Sequence, residues 1–131
     1  GQEAVDKWLQ KEQESESVND TEVTWSSYTF AGAFEFNQPV QVPASVTNMY
    51  ASFYQCWNLQ SDITILSNAV ESAGACFGGT TTLPKNVYIP FTYTTGINTK
   101  TFNSFQAAGY IDANGQSTGR NNVTILDLNA Q

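Results

Sequence analysis

The chain has 131 residues, 40% of them apolar and 13% aromatic, which fits a single folded domain. Charged residues are only 13%, about half the usual share, and there is no His, so the commonest general base and the Ser-His-Asp and Cys-His nucleophilic pairs are excluded. The net charge of −7 includes no basic cluster, which disfavours nucleic acid, and no apolar run is long enough to cross a bilayer.

The acid is concentrated at the start. Residues 1–22 hold seven acids (Glu3, Asp6, Glu12, Glu14, Glu16, Asp20, Glu22) against Lys7 and Lys11, a pattern of a solvated segment. Val5, Trp8 and Leu9 lie at helical spacing and predict a short helix over 2–13. Residues 14–20 (ESESVND) read as a linker. The apolar stripe serves either as an N-terminal cap or as the end of an upstream stalk. No signal peptide is visible, and the first residue is Gly, which fits a processed or trimmed product.

The next stretch carries the most information. From Phe30, apolar or small residues fall at Ala33, Phe36, Val40 and Val42; from Phe53, at Cys56, Leu59, Ile63 and Ile65; from Phe77, at Thr80, Leu83, Val87 and Ile89. The offsets are +3, +6, +10 and +12 each time, and Val23, Val46 and Val70 each precede the Phe by seven. The interval from Phe53 to Phe77 is one position longer than that from Phe30 to Phe53. A sustained repeat of this length predicts an α/β solenoid whose units bury their apolar faces on one another. Each unit should run from a helix-like or turn-like segment, as in Val46, Met49 and Phe53, into a short strand. The strands are Val40-Gln41-Val42, Ile63-Thr64-Ile65 and Val87-Tyr88-Ile89, which would stack about 4.8 Å apart as a narrow parallel sheet.

Pro90 interrupts the period, and residues 90–131 read as a C-terminal α+β cap. Phe91-Thr92-Tyr93-Thr94 suggests a strand, and Gly96 and Asn98 a turn. Asn98 or Thr99 would cap a helix through about Ala108, with Gly109 past its end and Phe102 and Phe105 facing the stack. Asn114-Gly115 marks a tight turn, and Val123 to Leu128 a last strand that helps close the sheet. The three regions are thus 1–22, an acidic helix and linker; 23–89, the stack; and 90–131, the cap.

Little in the stack points to catalysis. Glu35, Asp62, Glu71, Asp112 and Asp127 share no motif and read as solvated surface acids, so no catalytic pair is assigned. Two thiols and no imidazole make a poor zinc site, and Asp112-Ala113-Asn114-Gly115 lacks the further acids of a calcium loop, so no metal or cofactor is assigned. Cys56 and Cys76 fall in adjacent units at different angular positions, which favours separate packed thiols over a bridge. Phe30, Phe53 and Phe77 belong to the core. Tyr28, Tyr50, Tyr54 and Trp57 fall off the core offsets, so some should reach the surface, where such side chains anchor partners. Gln41, Thr64 and Tyr88 point outward in line along the sheet. Gln41, Thr64, Tyr88, Tyr54 and Trp57 are therefore the candidate ligand-binding residues.

The run Pro43-Ala44-Ser45-Val46-Thr47, then Phe53, Cys56 and Leu59, then Ile63-Thr64-Ile65, resembles the BspA-type leucine-rich repeat of bacterial surface proteins. The resemblance covers residues 23–89. It departs at Ala33 and Thr80, which stand where the second unit has Cys56, and in lacking the asparagine of ordinary leucine-rich repeats. In that family the Cys56 position holds a buried thiol. The resemblance implies a leucine-rich-repeat-like stack, a secreted or cell-surface location and a non-enzymatic role in adhesion to a host or bacterial surface protein or glycan. The alternative is a receptor-binding tip domain of a phage tail or appendage, placed on a virion; a trimer in solution would favour it, a monomer the surface protein.

Overall fold

The computed structural model describes residues 25–79, 83–90 and 99–130. The helix expected over 2–13, the linker 14–20, the marker Val23, Thr80, and the strand and turn expected between Phe91 and Asn98 lie outside the described residues. Within them the chain is mixed α/β: one four-stranded sheet and one α-helix. The strands are β1 (Val40–Val42), β2 (Ile63–Ile65), β3 (Lys85–Ile89) and β4 (Val123–Asp127), in sheet order β1-β2-β3-β4, all parallel. The helix α1 (Lys100–Ala107) lies in the chain between β3 and β4.

The strands are short because their sequence is. β-branched residues alternate with polar ones, so one side of each strand is buried and the other is not, and prolines bracket the pairing: Pro39 and Pro43 around β1, Pro90 after β3. Val40 pairs with Ile63, and Ile63 with Val87; Val42 pairs with Ile65. The inner row continues through Val87 and Ile125. All of these side chains are buried. At roughly 1.5–3 kcal/mol for each fully buried aliphatic side chain, this row is a main source of stability.

Parallel neighbours need a return connection, most often a helix. Here α1 serves that role only between β3 and β4; the chain returns from β1 to β2, and over the described residues from β2 to β3, through turns instead. The expected helix-like or turn-like segments are turns, because alternate N–H groups leave the segment. Met49, Ala51, Phe53 and Gln55 donate across to the carbonyls of Ser72, Gly74, Cys76 and Gly78 at 2.7–2.9 Å, and Tyr28, Phe30 and Gly32 donate to Tyr50, Ser52 and Tyr54. The N–H groups between them close local turns, as Ser52 to Met49, Tyr54 to Ala51 and Cys56 to Phe53. A continuous helix would keep all those donors to itself. The alternation places left-handed residues at fixed positions: φ is 65°, 51° and 52° at Tyr28, Ala51 and Ala75, and 73°, 58° and 73° at Gly32, Gln55 and Gly79. The repeat spacing of the sequence recurs in these two sets.

The core lies between the sheet and this second ladder. Phe36 stacks on Phe30 at 5.0 Å between centroids, Phe30 on Phe53 at 5.5 Å, and Phe53 on Phe77 at 5.4 Å, with planes within 14° of parallel. Each such pair adds about 0.5–1.5 kcal/mol beyond burial. Trp25 meets Phe30 edge-on and donates from Nε1 to Ser52 Oγ. Cys56 and Cys76 are both free and buried; the Cys56 thiol donates to the Phe30 carbonyl at 3.1 Å.

Past β3, the chain finishes what the turns leave open. Thr99 is the N-cap of α1, its hydroxyl accepting the Phe102 N–H, and Phe102 and Phe105 are buried against the stack. Thr101 Oγ1 accepts the Val70 N–H at 3.0 Å and donates to the Ser67 carbonyl at 2.7 Å. The Tyr110 ring meets Phe77 edge-on and so ends the parallel stack. Gly109, at φ 89°, holds a left-handed conformation that a residue with a side chain rarely adopts, and a Cβ there would also displace the end of the Arg120 side chain, 2.7 Å away at Nη1.

Both sheet edges are blocked. Val40 and Val42 turn their backbone groups to β2, through Asp62 O and Leu66 N, so Pro39, Gln41 and Pro43 face the outer edge, where only Gln41 has an N–H. On β4 the Ser117 hydroxyl accepts the Ile125 N–H and donates to the Val123 carbonyl, occupying groups that a further strand would use.

One expected surface acid is not on the surface. Asp127 is buried, because it takes the inner-row position opposite Ile89 at the end of β4. There its Oδ1 accepts the Asn129 N–H and holds the turn that follows.

Candidate functional site

Two outer faces carry the candidate residues, with the core between them. On the sheet, Gln41 pairs with Thr64, Thr64 with Tyr88, and Tyr88 with Leu126. All four are half-buried. The expected row is therefore assembled, and β4 adds an apolar fourth member. Leu126 escaped the sequence reading because its strand lies beyond the periodic stretch; the alternation Val123, Ile125, Asp127 was the signal that put it outside.

On the turns, Tyr54 and Trp57 are exposed, as are Tyr28 and Tyr50. So Tyr54 and Trp57 do not join Gln41, Thr64 and Tyr88; the five expected residues divide between the two faces. The turn face holds one more aromatic, Phe34, 44% exposed. Phe34 and Trp57 stack at 4.2 Å between centroids with planes 26° apart. Tyr28 and Tyr50 meet edge-on at 5.7 Å. Phe34 was findable: it precedes Trp57 by the same interval that separates Phe30 from Phe53.

Local backbone explains why these rings are outside. The turn that carries the chain past Phe53 buries Ala51, Ser52 and Phe53 and then leaves Tyr54 outside. The next segment leaves room for them. A Cβ on Gly74 would lie 3.1 Å from the Tyr50 ring, and one on Gly78 would lie 3.0 Å from the Tyr54 ring. Two tyrosines thus lie against glycine backbone, which restricts the rings before any partner arrives.

The polar setting is uncharged for the most part. Asn37 Oδ1 accepts the N–H groups of Gln60 and Ser61 and the Ser61 hydroxyl, at 2.8–2.9 Å, tying together the segments that follow Phe34 and Trp57. From residue 25 to residue 79 there is no Lys or Arg, and the acids are Glu35, Asp62 and Glu71. The cations stand elsewhere. Lys100 pairs with Glu71 at 3.1 Å in an exposed, weak ion pair. Lys85 is buried, donates to the carbonyls of Leu83 and Asn121, and is pushed down to about 8 by burial.

The groups with altered acidity sit in the core and not on either face. Burial pushes the Cys56 thiol up to about 12 and raises Cys76 too, so neither offers a thiolate. Burial pushes the Tyr110 hydroxyl up to about 12. Among the described residues no three of His, Cys, Asp and Glu gather in a way that could hold a metal ion, and no helix is long and apolar enough to cross a membrane. What the two faces offer chemically is contact: flat apolar rings, hydroxyls and amides. No family model, no curated protein and no solved structure matches this chain.

Proposed function

We propose that the chain is a non-enzymatic recognition module of the cell surface or extracellular space. It is a short leucine-rich-repeat-like solenoid of about three units, similar to the BspA type, that holds a surface protein or glycan on an outer face. The observation that supports this most is registration. Phe30, Phe53 and Phe77 stack, and Gln41, Thr64 and Tyr88 pair, at the intervals at which they recur in sequence. Units that bury their apolar rows on one another present their outer residues at fixed spacings. Little freedom is then lost on binding, which is how a small rigid surface gains affinity. The exposed aromatic residues fit such a role, since Trp and Tyr dominate the energetics of many contact surfaces.

The test is a binding survey with the full chain against extracellular matrix proteins, cell-surface glycoproteins and isolated glycans. Two variants accompany it: Tyr54→Ala with Trp57→Ala for the turn face, and Gln41→Ala, Thr64→Ala with Tyr88→Ala for the sheet face. The expected result is saturable binding that one face variant weakens about tenfold or more, with the thermal midpoint unchanged. Absence of saturable binding throughout, or binding that neither variant alters, removes the proposal.

A further inference from the structure

We propose that Asn114 is a self-modification site: its side-chain amide is lost through attack by the Gly115 nitrogen, and the isoaspartate that results withdraws Ser117 from the border of β4. Asn-Gly occurs once in the chain, at 114–115. It lies at the tip of a hairpin beyond α1, closed by the antiparallel bridge between Ile111 and Ser117 and by the Asp112 N–H, which donates to the Gln116 carbonyl at 2.8 Å. Asn114 is exposed, and its carboxamide makes no hydrogen bond among the described residues. The amides of Asn37, Asn48 and Asn121 are held instead, by Ser61, Ser27 and Tyr110.

The chemistry needs only water. The Gly115 nitrogen gives up its proton to water or hydroxide and bonds to Asn114 Cγ. The Cγ–Nδ2 bond breaks and ammonia leaves, which closes a cyclic imide. Water then adds to one of the two imide carbonyls. Opening on one side gives aspartate; opening on the other runs the main chain through Cγ and gives isoaspartate. Glycine suits the attacking position, because no Cβ crowds the ring and its backbone is the most permissive. Asparagine amides are among the heat-labile groups of proteins. In the hairpin the Gly115 N–H donates to the Asp112 carbonyl at 3.1 Å, so that bond must open first. It belongs to an exposed turn, where local opening costs little free energy.

The place of the hairpin gives the change its effect. Asp112 Oδ1 accepts the N–H groups of Asn114 and Gln116 at 2.8 and 3.0 Å, and the Gln106 side chain donates to the Asp112 carbonyl. On the other strand the Thr118 N–H donates to the Tyr110 carbonyl. The loop is thus held on both sides of Asn114 and has little slack for a longer main chain. Isoaspartate adds a methylene to the backbone between Asp112 and Gln116. The extra length is taken up at the closing bridge, and so it moves Ser117. The Ser117 hydroxyl holds the Ile125 N–H at 3.0 Å and the Val123 carbonyl at 3.2 Å. Once freed, those groups form an open strand border, which is a template for pairing with another chain. Aspartate keeps the ordinary backbone and leaves the hairpin at its original length.

The experiment is timed incubation of the folded full chain in mildly alkaline buffer, followed by peptide mapping and enzymatic methylation of isoaspartate. Isoaspartate is expected at residue 114 before any other asparagine converts, and it should form faster as pH rises. Asn114→Gln, which would have to close a larger ring, should stay unconverted there over the same period. The converted chain is then separated and compared with the parent and with Asn114→Asp. Amide exchange at Ile125 should be about tenfold faster or more in the converted chain. In Asn114→Asp, which has the new charge without the added methylene, it should match the parent. Conversion elsewhere first, or a converted chain whose Ile125 exchanges as slowly as the parent's, overturns the inference. So does fast exchange in Asn114→Asp, since charge and not backbone length would then be the cause.

Discussion

The Tyr110 hydroxyl accepts the Phe77 N–H at 3.0 Å, in the place that the Ser52 carbonyl fills for Phe30 and the Cys76 carbonyl fills for Phe53. A side chain thus does for the last turn segment what backbone does for the earlier ones. The same hydroxyl then donates to Asn121 Oδ1 at 3.1 Å. Tyr110→Phe keeps the ring on Phe77 and removes only the oxygen. The buried Phe77 N–H loses its acceptor, so a loss of roughly 1–3 kcal/mol is expected in chemical denaturation. Amide exchange at Phe77 should speed up in step. A variant as stable as the parent would show that the hydroxyl is not needed at that end.

Thr101 plays the corresponding part for Val70 and Ser67. Thr101→Val matches its shape and leaves both an N–H and a carbonyl unmade in a fully buried site. The expected cost is about 2–4 kcal/mol, and Thr101→Ser should recover most of it. Thermal unfolding of the three proteins measures this directly.

Gln55 stands at φ 58° where the neighbouring segments have Gly32 and Gly79, at 73° each. A left-handed residue with a side chain costs about 1–2 kcal/mol, partly offset by the freedom glycine gains when unfolded. Gln55→Gly should therefore raise stability by roughly 0.5–1 kcal/mol. The reciprocal change, Gly79→Ala, should lower it, since its Cβ would lie 3.1 Å from Gln55 Cγ. Opposite signs in the two melting curves are the expected outcome.

Alkaline pH should act in two opposed stages. Lys85 falls from 10.5 to about 8 on folding, so between those values the unfolded chain binds more protons and stability rises with pH. Cys56 rises from 9.0 to about 12, Cys76 rises as well, and Tyr110 rises from 10.0 to about 12. For these the folded chain holds more protons, and stability falls as pH climbs above 9. Denaturation midpoints should increase from pH 8 to about 9 and then decline. Lys85→Met should flatten the first stage and leave the second.

Both thiols should be inert in the native protein. Cys56 and Cys76 are fully buried and poorly ionised. Dithiobis(nitrobenzoate) should titrate no thiol before unfolding and two after it, without any reductant. Titration of fewer than two in denaturant would reveal a bridge.

The periodic part of this molecule was legible because its residues repeat their roles. Val40, Ile63 and Val87 advertise a strand row, and Phe30, Phe53 and Phe77 a ring stack, by recurring at one spacing. The helix start was legible to within one residue, Asn98 or Thr99, from capping side chains, and the structure uses Thr99. What connects the rows was not. Whether Met49 to Cys56 coils as a helix or as turns depends on where alternate N–H groups go, and their acceptors belong to the next unit, from Ser72 to Gly78. The burial of Lys85 and Asp127 was hidden for another reason: each stands on an inner row where composition predicts solvent, and carbonyls or an N–H supplied by loops make that tolerable. On the candidate surface, Tyr54 and Trp57 were visible as residues off the core spacing, whereas their separation from Gln41, Thr64 and Tyr88 needed the core to be seen between them.

Pro39 and Pro43 on one edge and the Ser117 hydroxyl on the other have a bearing on how such a chain can lengthen. Extra segments joined outside either border would meet an edge whose single N–H, at Gln41, lies between two prolines, or an edge whose Ile125 N–H and Val123 carbonyl are already taken. A duplicated block of one full period placed internally, between β2 and β3, would find matching donors above and acceptors below. Relatives with a larger outer surface should therefore differ by whole internal insertions, with both terminal borders left as they are.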